Sequence, residues 1–373
     1  MSMKVYLSGN VSGSYRCQNI LKVLGDSGIQ FCCIPSVFFN PGFNNKNVNR
    51  VVFMVLLLIT VPIRLIMILF ASQLIVLPMN FGIISLFEVF FAKILRKKVV
   101  VDYYISSYDT LVNDRKLLRE DSFRAKWALF TDQFILKSAS TVIFLNESES
   151  KYYRKIAGIS IDSDRIKIVP LCVDYKKELF GPRDNNREDS GFNVCWWGTY
   201  IPLHGLEHLI EAFRYIEDKS IKLYLFGDSE EKSTPYRALI EKYDLSGRIS
   251  VNNEYRFSNG KLSPFLKDNC DLAIGNFGSS EKAKTVLVNK LVDSLSLGLP
   301  CLTMETRATQ ELLANNEGII LTQPNAKDIA KTIVDWSSKR SQLNAIGSAG
   351  KKKYLDTFSP DAFKVKLLSL LNE

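Results

Sequence analysis

Short apolar runs alternate with longer segments through the first half of the chain, as strands alternate with helices in βαβ units. The runs predict strands at 4–8, 29–34, 73–78, 98–104, 141–146 and 165–172. Helices are predicted from about Tyr15 and over 83–95. Strands separated by helix-length segments favour a parallel sheet, so this half is predicted to be an α/β domain.

The same alternation restarts after a polar segment that has no hydrophobic periodicity. Predicted strands lie at 192–197, 221–226, 249–252, 271–276, 301–304 and 318–322, and the predicted helices lie at 206–215, 234–243, from Asn289 and through Glu311. The polar segment 175–190 contains Gly-Pro and is the predicted linker.

The predicted fold class is α/β, with two Rossmann-like domains facing across a cleft, where ligands bind in such sheets. The predicted domains are 1–180 and 181–355, and 356–373 is expected to be a helix that packs back on the N-terminal domain.

Residues 50–70 form a predicted helix that is apolar around its whole circumference, interrupted only by Pro62 and Arg64. Such a helix is either buried or in contact with lipid. About twenty residues could span a bilayer, but a span would separate the first two strands from the rest of their domain. We favour a helix that dips into the inner leaflet, assisted by basic residues such as 96–98; burial against the sheet is the alternative.

Composition excludes global disorder and favours an acidic partner. The 373 residues are 46% hydrophobic and 23% charged, and 48 Lys and Arg against 39 Asp and Glu leave a net charge of +9. Anionic lipid, a phosphate-bearing substrate and nucleic acid all fit this charge. Nucleic acid is disfavoured because the lysines are dispersed, without an aromatic-interleaved stripe.

No metal is expected. The seven cysteines lack metal-ligand spacing and are typical of reduced thiols in a cytosolic protein, and His204 and His208 are the only histidines. Asp162 and Asp164 lie in a polar loop before a strand, which predicts a turn rather than a metal site. The N-terminal residues lack the layout of a signal peptide.

The segment 277–300, FGSSEKAKTVLVNKLVDSLSLGLP, predicts an anion site. It follows an apolar strand and opens a helix at Asn289, where free backbone N–H groups and the helix dipole favour negative charge. Three lysines lie in or beside the loop: Lys282, Lys284 and Lys290. Asp293, one turn into the helix, can accept hydrogen bonds from ribose hydroxyls. We interpret this segment as the site for the diphosphate and ribose of a nucleotide-sugar; an ordinary β-α unit with solvated lysines is the alternative.

Two further loops are predicted to face the same ligand. In GTYIPLHG (198–205), the backbone at Gly198 and Thr199 can approach a phosphate, and His204 can donate to a phosphate oxygen. Arg307 is a candidate phosphate ligand and Glu311 a candidate acceptor for a sugar. The alternatives are a capping or turn role for the histidine and surface salt bridges for the other two.

Asp102 lies near the end of a predicted strand, at the edge where substrates bind. The loop beyond it carries further polar residues: Tyr104, Asp109, Asp114 and Arg115. Asp102 is therefore a candidate for orienting or deprotonating an acceptor hydroxyl. An ordinary polar loop has the same composition.

Three motifs, GTYIPLHG (198–205), KAKTVLVNKLVDSLSLGLP (282–300) and DYYISSYDTLVNDRK (102–116), resemble glycosyltransferase family 4, whose members have the GT-B fold. RIKIVPLCVD (165–174) is similar to the segment before that family's linker, and the resemblance is weakest over 36–75. It implies that Lys290 and Lys282 neutralise a donor diphosphate, that Asp293 holds the ribose and that the backbone around Thr199 meets the phosphates. It also implies transfer with retention and without metal, by charge stabilisation of the leaving nucleoside diphosphate.

The chain departs from the family pattern in three places. Thr199 and His204 stand where many members carry Arg and Lys. Asp293 replaces the usual Glu, and Thr285 its paired Glu eight residues earlier. Tyr104 stands where a histidine is frequent. These changes fit either a subfamily variant or a weakened active site.

The sequence thus predicts a cytosolic glycosyltransferase associated peripherally with the inner face of the membrane. Its donor would be a nucleotide-sugar, no cofactor is expected, and its acceptor would be lipid-linked or a glycan in bacterial surface polysaccharide synthesis. The alternative is a degenerate, non-enzymatic partner subunit or scaffold at the membrane. A sugar-nucleotide epimerase is disfavoured by the scarcity of histidine.

Overall fold

The computed structural model describes residues 3–9, 14–34, 50–77, 83–174 and 191–372, with only the backbone described at 50–58 and 83. The chain forms two compact units, Met1–Pro170 with Lys364–Glu373, and Leu171–Phe363. The predicted linker lies outside the described residues, so the predicted domain boundary at 180 stays a prediction.

The first unit contains a six-stranded sheet in which all the described pairings are parallel. Its strands are β1 (Lys4–Ser8), β2 (Gln30–Cys32), β3 (Gln73–Val76), β4 (Lys98–Asp102), β5 (Thr141–Phe144) and β6 (Ile166–Ile168). The strand order is β2-β1-β3-β4-β5-β6. The chain therefore reverses its direction across the sheet between β1 and β3, which is the switch point of a doubly wound fold.

The helices of the first unit connect these strands. They are α1 (Tyr15–Asp26), α2 (Arg50–Phe70), α3 (Ile83–Ile94), α4 (Phe123–Ser138) and α5 (Glu147–Ala157), with one π-helical turn at Asp109–Asp114. Right-handed crossovers place α2, α3 and α4 on one face of the sheet and α1 on the other. On that face, α3 packs between α2 and α4.

The second unit also has a six-stranded sheet whose described pairings are all parallel. Its strands are β7 (Asn193–Trp197), β8 (Lys222–Phe226), β9 (Ile249–Asn252), β10 (Leu272–Ile274), β11 (Cys301–Met304) and β12 (Ile319–Thr322). The order β12-β11-β10-β7-β8-β9 places the switch point between β7 and β10.

Helices cover both faces of the second sheet. They are α6 (Leu206–Ala212), α7 (Glu230–Lys242), α8 (Leu262–Asn269), α9 (Glu281–Thr285), α10 (Asn289–Ser296), α11 (Arg307–Leu312), α12 (Ala326–Ser337) and α13 (Arg340–Thr357). The last helix, α14 (Pro360–Asn372), ends in the first unit, where Lys98 Nζ donates to the Leu370 carbonyl at 3.1 Å.

The predicted fold class, two Rossmann-like α/β units, is confirmed. Several boundaries differ for local reasons. The predicted helix 234–243 begins at Glu230, because the Ser229 side chain caps it by accepting from the Lys232 N–H. Helix α5 begins directly after β5, because Asn146 accepts from the Glu149 N–H while the Glu149 carboxylate accepts from the Leu145 N–H.

Each sheet forms the centre of its own apolar core, in which the apolar residues of the central strands are buried. Five of the seven cysteines are buried. Among the described residues, no helix combines the length and apolarity needed to cross a membrane.

Among the described side chains of helix α2, Arg64 points inward and several apolar residues are exposed. Arg64 is only 3% exposed and donates to Glu88 Oε1 at 2.5 Å, where the Tyr6 hydroxyl also donates at 2.6 Å. Four residues on the opposite face, at helical spacing, are exposed: Ile59, Ile63, Ile66 and Phe70. We call these four residues the α2 stripe.

Candidate functional site

The second unit gathers the predicted ligand-binding residues at its switch point. There β7 ends at Trp197 and continues into Gly198, while β10 leads through Asn276 into the loop before α10. Because ligands in doubly wound sheets bind at the carboxyl ends of the strands beside the switch point, this is where a nucleotide is expected.

Lys290 is the central residue of the site. It is the second residue of α10, its side chain is 3% exposed, and its Nζ has no hydrogen-bond partner among the described residues. The Nζ lies 4.2 Å from the centroid of the Trp196 ring. Burial lowers the pKa of Lys290 well below its usual value, although Cys301 and Asp293 oppose the shift. A buried amino group without a hydrogen-bond acceptor can bind an anion.

His204 lies beside Lys290. A Cβ placed on Gly198 would be 3.3 Å from Lys290 Nζ and 3.6 Å from His204 Nε2, so both side chains flank this glycine. Within the described chain, His204 Nδ1 has no hydrogen-bond partner. Burial, and then the charge of Lys290, lower the pKa of His204 well below its usual value. The imidazole is therefore neutral at pH 7 and can donate through one nitrogen.

Helix α10 begins without a capping side chain. Its N-cap residue, Val288, offers no acceptor, its first turn has no acidic residue, and Asn289 is exposed. The Leu291 N–H donates to the Val288 carbonyl at 3.1 Å, and the N–H groups before it in that turn are thus available to an anion, beside Lys290. Asp293, one turn on, is buried and accepts a hydrogen bond from Trp197 Nε1 at 2.9 Å. That bond fixes the carboxylate predicted to hold the ribose.

The two loops of the site touch backbone to backbone. A Cβ on Gly205 would come within 2.5 Å of the Phe277 carbonyl carbon, and one on Gly278 within 2.1 Å of the Leu203 oxygen. The Phe277 N–H donates to the His204 carbonyl at 3.1 Å. Only glycine allows such an approach, so these loops hold each other in place.

The remaining predicted cations differ in their surroundings. Lys282 is buried on α9. Arg307 and Lys284 are exposed, and both bind Glu281, at 2.9 Å and 2.8 Å. Their charge is partly neutralised by this carboxylate, which favours a surface salt-bridge role. Glu311 and Thr199 are also exposed, and Gly198 has the positive φ of 145° that suits a glycine.

Asp102 lies in the first unit in a buried ion pair. Arg16 Nε donates to both of its oxygens, at 2.7 Å and 2.9 Å, and the same guanidinium donates to the Val169 and Pro170 carbonyls. Burial raises the pKa of Asp102, and Arg16 opposes this shift. A carboxylate held on both oxygens favours a structural role over proton transfer from an acceptor.

Sequence reasoning missed Trp196, Trp197 and Arg16. The two tryptophans are adjacent on β7, so their rings lie on opposite faces of the sheet, one over Lys290 and the other against Asp293. Their position at the end of a strand, directly before GTYIPLHG, was an available signal.

Comparison with known proteins finds a matching family model for the second half of the chain. Residues 182–353 match the family model described as "Glycosyl transferases group 1". No curated protein matches the chain.

Solved structures share the fold along nearly the whole chain. Sucrose-phosphate synthase from Thermosynechococcus elongatus matches with a TM-score of 0.70 at 14% identity, covering 99% of this chain and 98% of that one. HepE of Anabaena, solved with UDP and glucose, matches with a TM-score of 0.68 at 13% identity, covering 100% of both chains. The lipopolysaccharide outer core galactosyltransferase WaaB matches with a TM-score of 0.62 at 12% identity, covering 100% of this chain and 99% of that one. Residues 182–353 are thus similar to the group 1 glycosyltransferases, and the chain has the GT-B fold.

Proposed function

We propose that the protein is a family 4 glycosyltransferase that moves a sugar from a nucleoside diphosphate sugar to a lipid-linked or glycan acceptor. The observation that carries the proposal is the buried, unpartnered Nζ of Lys290, which lies beside His204 at an uncapped helix N-terminus. Burying an ammonium without an acceptor is costly, so the arrangement fits a site whose anion arrives with the substrate.

The donor would lie with its diphosphate against Lys290, His204 and the backbone at Gly198 and Asn289. Its ribose hydroxyls would reach Asp293, whose carboxylate is already oriented by Trp197. HepE, which shares the fold, was solved with UDP and with UDP-glucose. This supports a uridine nucleotide as the first donor class to test.

Catalysis would be chiefly electrostatic. As the bond between the sugar and the diphosphate breaks, negative charge grows on the leaving oxygen, and the Lys290 ammonium lies ready to stabilise it in a site without bulk water. We assign transfer with retention and without metal to this mechanism, following the resemblance to family 4. His204 would donate a hydrogen bond to the same phosphate oxygens.

The acceptor would be held at a membrane, in bacterial surface polysaccharide synthesis. The α2 stripe is an exposed apolar face in a chain of net charge +9, a combination that favours the surface of an anionic inner leaflet. The protein would thus bind peripherally to the cytoplasmic side of the membrane.

Calorimetric titration of UDP into purified protein tests donor binding. Lys290→Ala should weaken binding by about a hundredfold, in line with the loss of one preorganised donor to a phosphate. The matched control, Lys284→Ala, removes an exposed lysine that is paired with Glu281 and should bind normally. Equal affinity of both variants would contradict the site.

Turnover needs a separate assay. A screen of common nucleotide-sugars, reading released nucleoside diphosphate, should show donor breakdown that Lys290→Ala loses and Lys284→Ala keeps. Tight binding without turnover, in the presence of extracted lipid acceptors, would favour the non-enzymatic partner subunit.

A further inference from the structure

Helix α4 presents a row of aromatic side chains to solvent. Phe123, Trp127 and Phe130 follow one another at helical spacing and are 80%, 42% and 49% exposed. Their rings continue into the partly buried Phe134: the centroids of Trp127 and Phe130 are 5.6 Å apart, and those of Phe130 and Phe134 are 6.2 Å apart. We call Phe123, Trp127 and Phe130 the α4 ladder.

Basic side chains flank the ladder. Arg124 and Lys126 are exposed in the first turn of α4, and Lys137 is exposed in the last. The helix has one acidic residue, Asp132, which is buried and accepts hydrogen bonds from Ser106 and from the backbone at Tyr108. The exposed charge of α4 is therefore entirely positive.

The ladder belongs to a wider apolar face. Helix α3 packs between α2 and α4 on one side of the first sheet, and its Phe90 and Ile94 are also exposed. Three neighbouring helices, α2 included, thus present apolar residues to solvent, with exposed basic residues such as Lys93 and Lys126 among them. Large exposed apolar patches are rare on monomeric soluble proteins and mark interaction sites.

We propose that α4 is an interfacial helix, which inserts the α4 ladder into the surface of an anionic lipid bilayer. Aromatic rings favour the boundary between headgroups and acyl chains, and lysines beside them bind anionic headgroups. The positive flank favours lipid over a second copy of this chain, which would bring like charges together. The proposal extends the peripheral attachment proposed for α2 and is independent of sugar transfer.

Trp127 is a built-in probe for this contact. The chain has four tryptophans, of which Trp196 and Trp197 are buried in the second unit. In a full-length Trp336→Phe background, Trp127 is the tryptophan most accessible to lipid. Vesicles of phosphatidylcholine mixed with phosphatidylglycerol, carrying brominated acyl chains, should quench its fluorescence. Vesicles of phosphatidylcholine alone should quench it much less.

Cosedimentation with the mixed vesicles measures the strength of the contact. Phe130→Ser and Lys126→Gln should each weaken binding by about fivefold. The matched control is Tyr215→Ser, which removes a 44% exposed aromatic residue from the second unit and should bind as the parent does. A stripe variant, Ile63→Ser with Ile66→Ser, separates the contribution of α2.

Three outcomes would overturn the proposal. The first is the absence of vesicle binding, and the second is binding without quenching of Trp127. The third is a stable dimer in sedimentation equilibrium that Phe130→Ser dissociates, since it would make the ladder an interface between copies. UDP titrations without lipid report on the donor site separately, so failure of one proposal leaves the other intact.

Discussion

Each unit buries a cation at the N-terminus of a helix beside its switch point, and the two cations differ in their surroundings. Arg16 is the second residue of α1, after the switch-point strand β1, and Lys290 is the second residue of α10, after the switch-point strand β10. Arg16 is bound by Asp102 and by two backbone carbonyls. Lys290 has no hydrogen-bond partner in the described part of the chain. A buried cation beside the switch point thus has protein partners in one unit, and in the other it has no hydrogen-bond partner among the described residues.

Replacing each cation should have the largest effect, a difference between the two sites in the free energy of unfolding. Arg16→Ala leaves Asp102 buried without its counter-ion, so we expect the free energy of unfolding to fall by about 3–5 kcal/mol. Lys290→Met removes an unpaired buried charge and should leave the stability of the free protein unchanged or higher. Urea unfolding measures both.

The double variant Arg16→Met with Asp102→Leu is the control for that experiment. It removes both charges together and should recover much of the stability lost in Arg16→Ala. Similar losses in Arg16→Ala and Lys290→Met would show that Lys290 also has a structural partner.

Gly198→Ala tests whether the position of the Lys290 side chain matters for ligand binding. The added Cβ would lie 3.3 Å from Lys290 Nζ, at a φ of 145° that side chains rarely adopt. We expect UDP affinity to fall by about tenfold or more, because small displacements of binding groups are costly. Gly158→Ala is the control: its φ is also positive, at 61°, but nothing lies within 4 Å of the added Cβ. It should reduce stability alone.

The site around Lys290 should also respond to pH. Burial lowers the pKa of Lys290 and of His204, so these two residues bind fewer protons in the free native protein than in the unfolded chain. Its free energy of unfolding should therefore rise as the pH rises through the window between the lowered and the ordinary pKa values.

A bound diphosphate favours the protonated forms of Lys290 and His204, whereas burial in the free protein favours their neutral forms. UDP binding should take up protons, and its affinity should fall by at most about tenfold per pH unit for each proton as the pH rises above the pKa values of the free protein. Calorimetry in buffers of different ionisation enthalpy counts the protons. An uptake of zero, unchanged in Lys290→Met, would contradict a site whose binding groups have lowered pKa values in the free protein.

The smallest expected effect concerns the orientation of Asp293. Trp197→Phe keeps the ring but removes the N–H that donates to the carboxylate at 2.9 Å. One such hydrogen bond contributes about 0.5–1.5 kcal/mol, so UDP affinity should fall a few-fold. Uridine, which lacks the phosphates, should lose as much as UDP if Asp293 holds the ribose, and a loss confined to UDP would argue against that role.

Much of the fold follows from local patterns. The buried strands are short apolar runs, and their parallel order follows from the helix-length segments between them. Helix α4 escaped prediction because its buried Ile135 and its exposed Phe130 are both apolar, so the segment lacks the polar stripe that marks a surface helix.

The site was predictable in position and not in charge state. The segment 277–300 locates Lys290 at a helix N-terminus. Whether the Lys290 Nζ has a hydrogen-bond partner depends on which side chains the rest of the unit places beside it, and the local sequence does not give these. Arg307, by contrast, has a partner that the local sequence does not indicate, because Glu281 lies 26 residues earlier.

The contact between the loops at Gly205 and Gly278 has a consequence for how this half of the chain can change. Each loop leaves the other no space for even one methyl group, so a longer or bulkier loop on one side requires a matching adjustment on the other. In the proposed donor site, new preferences would therefore arise more readily at the exposed Thr199 than by remodelling these two loops.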